Sequence, residues 1–126
     1  FLHHVHKVGF KPFLYEYYRI LKGGGVLAIE EPSILFPLSW LAIFLRKLMG
    51  NVTGLVPDEK PVYPPSITKV LKEVGFTDIR IRGLHFNHMR FPVFLQVISL
   101  FFDYPFRIMS PFKYFCNGIG WYCRKR

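Results

Sequence analysis

Apolar residues recur along this chain at two different periods. Over residues 11–22, Leu14, Tyr17, Tyr18 and Leu21 fall at three- and four-residue steps, which predicts a helix with one buried stripe. Pro12 suits its first turn. Lys22 followed by Gly23 predicts its end, because glycine takes the left-handed cap without steric cost. Val26, Leu27, Ala28 and Ile29 then follow one another without a polar break, as in a strand covered on both faces. That run stops on Glu30, Glu31 and Pro32. Residues 36–49 predict a helix that is apolar nearly all round, and so one that is buried or faces an apolar ligand or a membrane. Residues 50–65, rich in Gly and Pro, predict a loop. In residues 66–74, Ile67, Val70, Leu71 and Val74 mark a helix that Ser66 is placed to cap and Gly75 to close. The period then drops to two: Ile79 and Ile81 point one way, and Asp78, Arg80 and Arg82 the other, as in a strand with one wetter face. Residues 91–103 predict another apolar helix, residues 106–118 show no clear period, and residues 120–126 predict a short last strand. The order is an α/β pattern.

At 126 residues the chain is at most one domain. It is 51% hydrophobic and 18% aromatic, which excludes disorder. So small a body cannot enclose all of its fourteen Phe and seven Tyr, so some must line a pocket, a partner surface or a membrane contact. The net charge is +9, and it is uneven. Residues 1–63 hold seven basic and five acidic residues, whereas residues 64–126 hold ten and three. A basic, aromatic second half is compatible with anionic headgroups, with nucleic acid or with an ordinary solvated face. Nucleic acid is the weakest of these, because the aromatics are not interleaved with lysines as a stacking platform requires. The most apolar stretch, residues 34–45, is too short to span a bilayer. Two cysteines, Cys116 and Cys123, make neither a disulfide framework nor a zinc signature, and neutral thiols in a reducing, cytoplasmic setting are expected.

Three blocks, in order, carry a resemblance. "FLHHV" at the start of the chain is similar to the end of a fourth strand, "YRILKGGGVLAIEEP" to the next helix and fifth strand, and "PDEKPVYPPSITKVLKEVGFTDIRI" to the following helix and sixth strand. The set resembles class I S-adenosylmethionine-dependent methyltransferases, of the group acting on small molecules and lipids. Gly23 stands where that family usually has proline. The resemblance implies an α/β fold: the C-terminal half of a Rossmann-like domain, with about three strands of mixed sheet and flanking helices. The last strand would lie antiparallel between the fifth and the sixth. It implies residues 1–126 as one part-domain, with residues 36–65 covering the acceptor and residues 91–118 as an aromatic helical region. The cofactor-gripping glycine loop of the family is absent, so S-adenosyl-L-methionine would be held mainly by an N-terminal half missing here, and the fragment alone would be inactive. Gly23–Gly25 cannot replace that loop, since they follow a helix and precede a strand.

By the resemblance, His3 and His4 would lie at the end of the fourth strand and Leu2 and His3 beside the cofactor. A histidine there either touches acceptor or cofactor or makes only a structural hydrogen bond at a turn; the sequence does not choose. Methyl transfer depends chiefly on alignment, and a general base is needed only if the acceptor loses a proton. Glu31 either faces the acceptor or holds the turn. Trp40 and Phe44 fall in the acceptor-covering segment and suggest a hydrophobic, lipid-like acceptor, the alternative being an ordinary packed helix. His4 with His6, or His85 with His88, are weak metal patterns lacking further ligands. A second functional reading is a non-enzymatic basic, aromatic module that binds a membrane surface or a partner protein.

Overall fold

The computed structural model describes residues 9–49, 60–86 and 93–126. Helix α1 (Lys11–Ile20) leads into β1 (Val26–Pro32), followed by α2 (Pro37–Met49), α3 (Pro64–Val74), β2 (Phe76–His85), α4 (Val93–Ile108), a short 3-10 turn at Phe112–Phe115, and β3 (Gly118–Lys125). The strands form one sheet in the order β1-β3-β2, with both pairings antiparallel. β1 and β2 therefore run the same way on either side of a reversed β3, as the resemblance implies.

The last strand is the centre of the molecule. Ile119, Trp121 and Cys123 project from β3 onto one face, where they meet Leu14 of α1, Ile67, Leu71 and Val74 of α3, and Phe76 of β2. Trp121 is fully buried, and its indole N–H donates to Thr68 Oγ1 at 3.0 Å. This bond satisfies the one polar atom the ring carries into the core. β3 also closes α1: Lys125 Nζ donates to the Leu21 carbonyl at 2.7 Å, a cation on the unsatisfied end of a helix.

The element ends differ in detail from the pattern. The positive φ at the turn after α1 belongs to Gly24 (75°), not to Gly23, and the Gly24 N–H donates to the Lys125 carbonyl. α3 begins at Pro64 rather than at a Ser66 cap; it makes no side-chain cap bond, since proline's fixed φ already suits the first turn. Gly75 closes α3 in the left-handed region (φ 110°) as expected. The segment without clear period resolves into the last turns of α4 and the 3-10 turn.

One expectation is overturned. Val26–Ile29 are not covered on both faces. Leu27 and Ile29 pack on the core, whereas Val26 and Ala28 are exposed. Unbroken apolarity tells only that a strand can be covered; among the described residues no element lies over the face shared by Val26, Ala28, Arg80, Tyr122 and Arg124.

Candidate functional site

In α/β sheets, ligands gather outside the carboxyl ends of parallel strands. Here those ends are Glu30–Pro32 of β1 and Leu84–His85 of β2, and they meet the first residues of β3. Ser33, fully buried just past β1, ties this end together. Its N–H donates to the Asn117 carbonyl at 2.9 Å and its hydroxyl to the Tyr114 carbonyl at 3.1 Å. Its Oγ accepts from the Leu35 N–H, and its carbonyl accepts from the Ser39 hydroxyl, which fixes the start of α2. The Val62 N–H donates to the Pro32 carbonyl at 2.8 Å, so the entry to α3 is held against the same strand end.

The two adjacent glutamates part company because neighbouring strand residues point to opposite faces. Glu31, opposite Ile119, is 1% exposed and sits on the core face. Glu30, opposite Gly120, is exposed, and its Oε1 lies 3.8 Å from His85 Nδ1. His85 reaches that face because β2 is irregular between Gly83 and His85. Such bulges re-aim side chains. The imidazole lies over Gly118, where a Cβ would collide with the ring. The sequence pattern did not expose this Glu30–His85 pair, because a bulge leaves no mark in a period-two alternation.

Trp40, Phe44 and Leu48 recur every four residues along α2 and stand 60%, 61% and 71% exposed. Trp40 and Phe44 thus share one open stripe, on a helix whose base is pinned by Ser33 next to Glu31. They do not close a pocket with Glu31. Two concavities lie elsewhere: one of about 190 Å³ against Val26, Arg80 and Tyr122, and one of about 430 Å³ along α3 against Thr68, Lys72 and Tyr114. Leu2, His3, His4, His6 and His88 lie outside the described residues. Among the described residues, no group of three or more His, Cys, Asp or Glu is arranged to hold a metal. The two cysteines are free and buried; burial pushes each thiol up to about 11, so neither is a nucleophile near neutrality.

The only consecutive glycines, Gly23–Gly25, spend amides on backbone partners: Gly24 donates to the Lys125 carbonyl and Gly25 to the Lys22 carbonyl.

The comparison that decides the fold is structural. The crystal structure of a SAM dependent methyltransferase from Archaeoglobus fulgidus superposes with a TM-score of 0.62 at 18% sequence identity, covering 99% of this chain. The chain has the fold of part of that methyltransferase. It spans 56% of that protein's length. No protein-family model matches the sequence, and no curated protein matches it.

Proposed function

We propose that this chain contributes the acceptor-side part of an S-adenosylmethionine-dependent methyltransferase whose acceptor is a small hydrophobic molecule. The observation that carries the reading is the shared fold over 99% of the chain, with the open apolar stripe of α2 rising directly from the carboxyl end of β1. The cofactor, when bound, supplies an electrophilic methyl on sulfur. Its main contacts would come from the remainder of the fold, together with Leu2 and His3. Trp40 and Phe44 would hold the acceptor by apolar contact and keep water from it. His3 or His4 would touch the acceptor, and Glu31, buried at the strand end, would keep the acceptor side of that end in shape.

The test is titration of S-adenosylhomocysteine into the complete protein, followed by transfer of labelled methyl to a panel of apolar acceptors such as quinones and long-chain phenols. Saturable binding and labelling of an apolar acceptor are expected. Trp40→Ala with Phe44→Ala should raise KM about tenfold, the scale of losing about 1.4 kcal/mol of apolar contact, while kcat changes little. Absence of any S-adenosylhomocysteine binding would overturn the reading.

A further inference from the structure

The longest helix among the described residues, α4, turns its apolar side outward. Phe94, Val97, Phe101, Tyr104 and Ile108 of α4 are all half or more exposed, Phe101 by 78%. At 100° per residue, the exposed apolar positions of Val93–Ile108 sweep roughly 200° of the helix circumference. No charge interrupts that arc. The two charged residues of α4 lie at its border and face each other, Arg107 Nη1 being 3.4 Å from Asp103 Oδ2. Asp103 is further drawn inward by the Phe86 N–H at 2.7 Å. Beneath, Phe86 stacks on Phe106, and Phe106 on Phe112, with centroids 4.5 and 5.3 Å apart. α4 is therefore anchored to the sheet by its inner side, and its outer side is not a loose core face awaiting the sheet.

We propose that this outer face of α4 docks on an anionic lipid surface, the helix lying in the plane of the headgroups. Three observations favour lipid over other occupants. A specific protein interface carries about one hydrogen bond per 100–200 Å², whereas within the arc only the Tyr104 hydroxyl can supply one. A second copy of the chain would bring +9 against +9, which opposes association, whereas anionic headgroups attract the same charge. Around the helix itself, residues 93–117 carry Arg107 and Lys113 against Asp103 alone. A helix of about 24 Å, from 16 residues at 1.5 Å each, fits in the interface but not across the bilayer. No described helix is long and apolar enough to cross. The inference goes beyond the methyl-transfer reading and does not rest on it, because lipid binding is read without cofactor or acceptor.

Co-sedimentation with vesicles tests it, comparing phosphatidylcholine alone with a mixture holding about 30% phosphatidylglycerol. Binding to the mixed vesicles is expected, falling roughly tenfold on phosphatidylcholine alone or in about 0.5 M salt, where the Debye length is only a few ångströms. Phe94→Asp with Phe101→Asp should abolish sedimentation without altering circular dichroism, since both rings are exposed. Failure to sediment with either vesicle would overturn the proposal. So would unchanged binding by the double variant. A stable dimer in sedimentation velocity that the same substitutions dissociate would instead assign the face to a second copy, and would overturn it too.

Discussion

Cys116 and Cys123 show how burial sets the chemistry of a single residue. Each sulfur is nearly inaccessible, 0% and 2% exposed, and each thiol is pushed from 9.0 up to about 11 by loss of solvation. For Cys116 the Asp103 carboxylate adds to the rise and Arg107 opposes it. Burial here favours the protonated form. The stability it confers is present in full below about 9, where the unfolded thiols are still protonated, and is lost as pH rises toward 11. Thermal midpoints should therefore fall between pH 9 and 11, and part of that fall should vanish in Cys123→Ala. The contribution is on the order of 2 kcal/mol per thiol. Ellman's reagent at pH 8 should react slowly with the folded chain and at once with both thiols in denaturant. The same scale separates Glu30 from Glu31: identical side chains, one buried and one facing His85, through a single step of strand alternation.

At the scale of elements, the passage from β2 through α4 to β3 hangs on close backbone approach. A Cβ at Gly83 would meet Cys116 Sγ at 2.5 Å and the Arg107 Cα at 3.0 Å. The second of these is main chain and cannot swing aside. Gly83→Ala should accordingly destabilise by about 1–3 kcal/mol, the usual cost of overpacking, and urea midpoints would read it. A midpoint unchanged within a few tenths of a molar would show that α4 yields freely and is not anchored as described. α1 and α3 were legible because their apolar residues obey one period and their ends carry proline or glycine. The alternation of Ile79 and Ile81 with Arg80 and Arg82 was equally legible. The length of α4 was not: it runs on through Pro105 to Ile108, because a proline inside a helix forfeits one hydrogen bond without obliging the chain to leave it when packing holds both sides.

Among the described residues, the molecule is a three-stranded sheet with α1 and α3 packed on its core face. Among the described residues β1 stands at the sheet's edge, with an apolar exposed face at Val26 and Ala28. Edges of this kind template pairing between chains. Ala28→Lys places a charge on that exposed face and should lower concentration-dependent light scattering severalfold without changing the thermal midpoint by more than a degree or two, since a solvent-facing substitution costs little. If scattering is unchanged, self-association proceeds by another surface.

Local pattern was enough to establish which segments are helix or strand, that glycine and proline punctuate them, that the chain is basic toward its end, and that three ordered blocks resemble a methyltransferase. These depend on neighbours within a few residues, where side-chain period and backbone preference act directly. Only the tertiary structure decided that Val26 and Ala28 are bare while Trp121 is buried, that a bulge sets His85 beside Glu30, and that α4 turns its aromatic side outward. Each of these depends on which distant segment comes to lie against which face. A run of apolar residues states that it can be covered, and packing alone determines whether it is.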